Sequence, residues 1–119
     1  MKNTILIAAI LSIVFIAGCV SQPSAQTVKI GFIAPLTGDA AVYGLPLKNM
    51  VELATEEINS QGGIDGKKVE IIYEDGKCNG KDAATAMQKL VSVDKVRVIF
   101  GGFCSSESLG AEPIATQNK

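Results

Sequence analysis

Ser105 and Ser106 are the side chains whose types and position suggest a binding site. They follow an apolar run and the pair Gly101-Gly102, and they stand where a helix is predicted to begin. The first turn of a helix has free backbone N–H groups and the positive end of the helix dipole, and a serine hydroxyl adds another donor. The pattern predicts a site for a carboxylate, and a purely capping role for Ser105 is the alternative.

Two aromatic residues need an explanation. Phe103 comes just before this helix start, and Tyr43 stands in the predicted loop after the first strand. Aromatic residues make up only 5% of the chain and tryptophan is absent, so each of these rings requires a reason in the core or at a ligand. Phe103 either lines a pocket or packs under the preceding strand. Tyr43 either contacts a ligand or is a half-exposed loop residue.

The absence of histidine excludes several kinds of site. Ser-His and Cys-His nucleophilic sites, His-ligated zinc and a histidine base all require it. The glycine-rich residues 62–68 lack the spacing of a phosphate-binding loop. A net charge of −1 gives no bulk attraction to nucleic acid. We therefore expect a binding protein and not an enzyme, with no cofactor, no metal and no nucleic-acid partner.

The N-terminus has the layout of an export signal. Lys2 precedes an apolar run at residues 5–16, and the small pair Ala17-Gly18 stands before Cys19. The run is shorter than the roughly 18 to 20 residues of a membrane-spanning helix. This order resembles the lipobox of bacterial lipoproteins, which implies that Cys19 carries lipid. A plain secretory signal with an incidental cysteine, or a permanent membrane span, is the alternative.

This N-terminus predicts how the chain is organised and where the protein is located. We expect a signal peptide at residues 1–18, a flexible tether at 19–27, and the first part of a lobe at 28–119. The mature protein is expected outside the cytoplasmic membrane, anchored by Cys19. Cys78 and Cys104 then remain as one pair in an oxidising compartment, which favours a disulfide over two free buried thiols.

The rest of the chain alternates strand-like and helix-like segments. The predicted elements are a strand at 28–34, a helix at 44–61, a strand at 69–74, a helix at 79–93, a strand at 96–100, and a helix from Ser105 or Ser106 toward Pro113. This order predicts an α/β fold with a parallel sheet and helices on both faces. The sheet is expected to be incomplete, because the chain stops where another strand would follow.

Three loops are expected at the same edge of that sheet. Ligands of parallel sheets bind at the carboxyl ends of the strands, beside a topological switch point. The segments at that edge are residues 35–44, 75–79 and 101–106. Within or beside them, Asp75 is expected to support a turn, and Glu107 to neutralise the positive end of the third helix.

Four groups of residues carry a family resemblance. They are residues 34–38 with Tyr43-Gly44, residues 56–59 with 62–67, Glu74-Asp75 with Cys78, and residues 101–106 with Cys104. Together and in this order they resemble the leucine/isoleucine/valine-binding family of periplasmic binding proteins, which have the type I fold. The resemblance covers residues 29–115, nearly all of the predicted lobe.

The resemblance implies a two-lobed protein that closes around a small molecule, with this chain as roughly the first half of lobe one. It implies an extracytoplasmic solute-binding protein of an ABC importer, with the permease and the membrane as partners. The implied ligand is a branched-chain or other amino acid, or an amide or urea-like compound. A ligand-sensing receptor or regulator on the same fold is the alternative, and an exported flavodoxin-like enzyme is a third reading.

The resemblance also assigns roles to single residues. It implies that the Ser105 hydroxyl and amide hold the ligand carboxylate and that the Tyr43 ring walls the ligand side chain. It implies a Cys78–Cys104 disulfide beside the cleft. Phe103, Cys104 and Ser106 complete the expected ligand-binding set, and no residue of this chain is assigned to a ligand ammonium group.

Overall fold

The computed structural model describes residues 27–118, in which three strands alternate with three helices. In chain order they are β1 (Val28–Ala34), α1 (Ala41–Ser60), β2 (Val69–Asp75), α2 (Gly80–Ser92), β3 (Ile99–Gly101) and α3 (Ser105–Gln117). The predicted order of elements is confirmed. The predicted signal peptide, Cys19 and all of the predicted tether except Thr27 lie outside the described residues. Within the described range, no helix is both long and apolar enough to cross a membrane.

The strands form a parallel sheet in the order β2-β1-β3, as predicted. Strand β1 lies in the centre, paired with β2 from Val28 to Ala34 and with β3 from Gly31 to Ile33. The chain leaves β1 toward β2 and then crosses to the other side of β1 to form β3. The carboxyl ends of β1 and β3 therefore flank a topological switch point, where ligands of such sheets bind.

One face of the sheet packs against α2 and α3. Ile33 of β1 joins a buried apolar cluster to which α2 contributes Leu90 and α3 contributes Ala111. Gly31 belongs to the same packing, because a Cβ atom there would lie only 2.8 Å from Leu90 Cδ1. A side chain at position 31 would require the side chains of Leu90 and Ile99 to move.

The opposite face carries a row of aromatic rings under α1. The ring centroid of Phe32 lies 5.7 Å from that of Tyr73 and 4.8 Å from that of Phe100. Lys48 of α1 lies over the Tyr73 ring, with Nζ 5.0 Å from the ring centroid. Aromatic pairs at these separations stabilise a sheet beyond the area that they bury. Helices thus cover both faces, as predicted.

Helix α1 begins at Ala41, earlier than the predicted start at Gly44. The turn at Gly38 leads directly into the helix, since the Ala41 N–H donates to the Gly38 carbonyl over 3.1 Å. The Tyr43 N–H donates to the Ala40 carbonyl over 3.0 Å. Tyr43 therefore lies in the first turn of α1 and not in a loop.

Strand β3 is shorter than predicted and is displaced along the chain. The prediction covered residues 96–100, whereas β3 spans Ile99–Gly101. The Val96 N–H donates to the Leu90 carbonyl over 2.9 Å, which holds Val96 in the connection after α2. There its side chain is buried in the apolar cluster. The apolar character of Val96 reflects burial under the helices and not strand pairing.

Helix α3 continues through Pro113 to Gln117, beyond the end suggested by the sequence. Proline has no N–H, so the helix loses the hydrogen bond that this position would donate to Leu109. Ile114, in the following turn, packs against the buried apolar cluster. This contact stabilises the helical turn that the proline weakens.

Candidate functional site

The carboxyl ends of β1 and β3 meet in a tight glycine turn. Gly101 and Gly102 have φ angles of 114° and 72°, a region that favours glycine. The Gly102 N–H donates to the Ile33 carbonyl over 2.8 Å, and a Cβ atom on Gly101 would lie 2.0 Å from the same carbonyl oxygen. The turn brings the segment before α3 close to the end of the central strand.

A disulfide joins two of the three loops at this edge. Cys78 follows β2, Cys104 precedes α3, and their sulfur atoms are bonded with the Cα atoms 5.2 Å apart. The Ser106 hydroxyl supports the same junction by donating to the Cys78 carbonyl over 2.8 Å. The loop after β2 and the start of α3 are therefore connected by a covalent bond and by a hydrogen bond.

The start of α3 differs from the predicted one. Cys104 occupies the cap position in an extended conformation, and Ser105 is the first helical residue. The Cys104 N–H donates to Glu107 Oε2 over 3.1 Å, and the Glu107 N–H donates to the Cys104 carbonyl over 2.9 Å. The Glu107 side chain thus reaches back to the backbone of the cap residue, as in one half of a capping box, while the cap residue accepts through its backbone carbonyl. Neither Ser105 nor Ser106 is the cap residue.

Ser105 and Ser106 differ in which of their hydrogen-bond donors are free. Both are exposed, and among residues 27–118 neither backbone N–H donates to an acceptor. The Ser106 hydroxyl is engaged by Cys78, whereas the Ser105 hydroxyl has no partner in the described part of the chain. The start of α3 thus offers two amide donors and one hydroxyl at the positive end of a helix, which suits an anion.

Tyr43 and Phe103 form an aromatic stack beside this helix start. Their ring centroids are 5.6 Å apart and their planes are inclined by 18°. Tyr43 is 58% exposed and Phe103 is 52% exposed, so much of the pair faces solvent. The structure places Phe103 against Tyr43 at the switch point, and not under β3 as one reading of the sequence suggested.

Asp75 links the end of β2 to the loop after β1. Its carboxylate accepts the Leu36 N–H over 2.8 Å, the Thr37 N–H over 3.3 Å, the Lys77 N–H over 3.0 Å and the Thr37 hydroxyl. Partial burial alone would raise the pKa of this carboxyl group, but the hydrogen bonds outweigh burial and hold the pKa below its ordinary value. From the sequence, Asp75 was expected only to support a turn, because its partners lie 38 and 39 positions away and no local signal indicates them.

Glu107 is the second residue whose role the sequence did not reveal. Its side chain is fully buried, with 0% exposure, and it accepts N–H groups from Cys78 and Cys104, each over 3.1 Å. The expected role was neutralisation of the helix dipole. Its position three residues after Cys104 was the available signal, because this is the spacing of a capping box.

An apolar groove of about 580 Å³ lies between α1 and the aromatic face of the sheet. Phe32, Leu47, Phe100 and Phe103 are among the residues that line it. Thr55 is its one polar lining side chain, and the Thr55 hydroxyl donates to the Val51 carbonyl within α1. The groove has no donor for a carboxylate, so the charged part of a ligand fits the start of α3 better.

Within residues 27–118, no group of three acidic, histidine or cysteine side chains is arranged to hold a metal ion.

Curated proteins that are similar to this chain include binding proteins for amino acids. The chain is similar to an "Amino acid binding protein" of Pseudomonas aeruginosa, with 36% identity over 87 residues. The match covers 73% of this chain and 23% of the relative. The chain therefore spans about a quarter of the length of the curated relatives that it matches.

Solved structures of the same kind superpose on the described fold. The branched-chain amino acid transporter substrate binding protein LivJ of Streptococcus pneumoniae, in complex with isoleucine, matches with a TM-score of 0.75 and 36% identity. That match covers 78% of this chain and 27% of LivJ. A solute binding protein of an ABC transporter from Rhodopseudomonas palustris, in complex with 3,4-dihydroxy benzoic acid, has a TM-score of 0.68 and 36% identity, covering 76% of this chain and 24% of that protein.

The sequence profile of one family, described as periplasmic binding protein, matches residues 27–119. This range includes every strand and helix of the structure, the disulfide and the start of α3. The parallel β2-β1-β3 sheet, the neighbouring solved structures and the profile agree with one another. The chain belongs to the periplasmic binding protein family.

Proposed function

We propose that the full protein is an extracytoplasmic solute-binding lipoprotein that captures an amino acid and delivers it to an ABC importer. The observation that carries the proposal is the pair of open N–H groups at Ser105 and Ser106, beside the Tyr43–Phe103 stack. An amino acid with an apolar side chain presents a carboxylate and an apolar group, and each has a complementary partner at this edge.

The carboxylate of the ligand is proposed to bind at the start of α3. The N–H groups of Ser105 and Ser106 and the Ser105 hydroxyl donate to it, and the helix dipole adds a favourable field. Cys104 borders the site but does not donate, because its N–H is held by Glu107 and its sulfur by Cys78. An acceptor for the ammonium group has to come from elsewhere in the full protein.

The side chain of the ligand is proposed to pack against Tyr43 and Phe103. The exposed surfaces of the stacked rings gain free energy when apolar groups cover them. The isoleucine complex of LivJ supports a branched-chain amino acid as the first candidate. The 3,4-dihydroxy benzoic acid complex of the Rhodopseudomonas palustris protein makes an aromatic carboxylate the competing ligand, since it also has an anionic and an apolar part.

The lipid anchor is part of the same proposal. Cys19 after Ala17-Gly18 is proposed to be acylated when the signal peptide, residues 1–18, is removed. Residues 20–27 then connect the membrane surface to the lobe that begins at Val28. An anchor of this kind keeps a solute-binding protein close to its permease.

Calorimetry on the full protein tests the proposal directly. Isoleucine, leucine and valine are titrated beside 3,4-dihydroxybenzoate, acetamide and urea, with D-isoleucine as the stereochemical control. We expect saturable binding of at least one branched-chain L-amino acid. Binding of the aromatic carboxylate alone would replace the amino acid with that ligand, and binding of none of these compounds would contradict the proposed solute class. Uptake of labelled isoleucine by cells with and without the gene tests delivery.

A further inference from the structure

Glu107 is a buried acidic side chain that the proposed binding role does not use. Its Oε1 atom accepts the Cys78 N–H and its Oε2 atom accepts the Cys104 N–H, each over 3.1 Å. Among residues 27–118, Glu107 has no ion pair with a lysine or arginine. The buried carboxyl group is therefore hydrogen-bonded by the backbone of the two cysteines that form the disulfide.

The absence of a side chain at Gly76 leaves room for this carboxylate. Gly76 lies in the loop after β2 and is buried. A Cβ atom on Gly76 would lie 2.2 Å from Glu107 Oε1, so a larger residue would displace the carboxylate from its position. Glu107 and Gly76 are thus complementary in shape, across a separation of 31 positions in sequence.

The conformation of the Cys78 loop requires support of this kind. Lys77 and Cys78 have φ angles of 49° and 55°, which L-residues adopt at a cost. The Lys77 N–H donates to Asp75 and the Cys78 N–H donates to Glu107. These two hydrogen bonds hold consecutive residues in a left-handed conformation, which directs the Cys78 side chain toward Cys104.

We propose that Glu107 is a positioning residue that holds Cys78 opposite Cys104 whether or not their sulfur atoms are bonded. With the thiols kept adjacent after reduction, the disulfide reforms readily and resists reduction. The start of α3, where Ser105 and Ser106 are located, keeps its place at the edge of the sheet. The inference goes beyond the proposed function and does not depend on which solute is bound.

The experiment measures the reduction equilibrium of the disulfide in the full protein without any solute. A dithiol such as dithiothreitol transfers two electrons and two protons: the protein S–S bond breaks, Cys78 and Cys104 become thiols, and the dithiol closes to a cyclic disulfide. Free thiols are alkylated at a series of reduced-to-oxidised dithiothreitol ratios. Mass spectrometry then reads the Cys78 and Cys104 peptides separately, so that Cys19 does not contribute.

In Glu107→Gln, the amide oxygen still accepts one N–H, but the amide nitrogen faces the other. We expect half-reduction at a dithiol-to-disulfide ratio at least tenfold lower than in the parent, which corresponds to about 30 mV for a two-electron couple. Glu112→Gln, which removes the same charge from an exposed position on α3, is the matched control and should reduce like the parent. An unshifted midpoint in Glu107→Gln, or an equal shift in Glu112→Gln, would overturn the proposal.

A second variant tests the same contact from the other side. Gly76→Ala leaves the carboxylate in the sequence but places a methyl group against it, so the midpoint should shift in the same direction as in Glu107→Gln. If Glu107→Gln fails to fold, this variant decides the question, and parent-like reduction of Gly76→Ala would overturn the proposal. Loss of solute binding leaves the midpoint measurement valid, which separates this inference from the proposed function.

Discussion

The rings of Tyr43 and Phe103 stack with centroids 5.6 Å apart, although the residues lie 60 positions apart in sequence. Tyr43 lies in the first turn of α1 and Phe103 in the segment before α3. The stack therefore connects the part of the chain that follows β1 with the part that follows β3, at the switch point. Both rings remain about half exposed. A stack in this position is a ready surface for an apolar ligand group.

Tyr43→Ala should weaken binding of solutes with apolar side chains about tenfold, or about 1.4 kcal/mol, because it removes half of this surface. Binding of glycine should change little, since glycine has no side chain to contact the ring. Tyr43→Phe is the matched control and keeps the ring. Titration calorimetry with isoleucine and glycine measures both effects. Equal weakening for the two solutes would contradict a contact between the Tyr43 ring and the solute side chain.

Asp75 gives the protein a predictable dependence on pH. Its folded-state pKa lies below the ordinary value of about 3.9, so the unfolded state binds the proton more readily. The stability that Asp75 contributes is therefore present above pH of about 4 and is lost as the pH falls through the folded-state pKa. Asp75→Asn should lower the free energy of unfolding at pH 7 by about 1 kcal/mol and reduce its fall below pH 4.

Urea denaturation of the full protein from pH 7 to pH 3 measures this difference. Thr37→Ala removes one of the donors to Asp75 and should give a smaller change in the same direction. An identical acid dependence in the parent and in Asp75→Asn would show that the hydrogen bonds to this carboxylate do not stabilise the fold.

A comparison of Gly101 with Gly66 distinguishes two reasons for glycine, namely a steric clash of a Cβ atom and the cost of a positive φ angle. Both have positive φ angles, 114° and 75°, but a Cβ atom on Gly101 would lie 2.0 Å from the Ile33 carbonyl oxygen, whereas one on Gly66 would meet open space. Gly66→Ala should cost about 1 kcal/mol and Gly101→Ala about 3 kcal/mol, because the second adds a backbone clash to the strain. Thermal and urea unfolding of the two variants provide the comparison, and equal losses would contradict it.

The sequence predicted the central strand well because its signal is local. Residues 28–34 are rich in valine and isoleucine, and β1 spans these residues. The third strand was predicted less well, because Val96 and Ile99 have the same chemical character but different partners: Val96 packs under α2 and Ile99 pairs with β1. Only the tertiary arrangement separates the two.

In the candidate site, too, some features could be predicted from local sequence and others could not. The helix start near Ser105 follows from local signals, namely the glycine pair and the serines. The roles of Asp75 and Glu107 depend on groups 38 and 29 positions away in sequence, such as the Thr37 hydroxyl and the Cys78 N–H. No periodicity or local motif specifies such pairings.

The lipid anchor stays a prediction, because Cys19 lies outside the described residues. Mass spectrometry of the mature protein should show an acylated cysteine at the N-terminus, and Cys19→Ser should release the protein from the membrane fraction. Ala17→Ser, which keeps a small residue before the cysteine, is the control and should remain anchored. An unmodified terminus or cleavage at another residue would contradict the prediction.

The two serines at the start of α3 allow the most direct test of the binding site, because one hydroxyl is free and the other is engaged. Ser105→Ala should weaken solute binding by about 1.5 to 3 kcal/mol, which is roughly tenfold to a hundredfold in Kd, since it removes a hydrogen bond to a charged group. Ser106→Ala removes the hydrogen bond to the Cys78 carbonyl and should lower the melting temperature while changing Kd much less. Calorimetry gives Kd and a thermal melt gives stability for the same samples. If the effects were reversed, with Ser106→Ala losing affinity and Ser105→Ala losing only stability, the carboxylate would have to bind on the Ser106 side of the helix start.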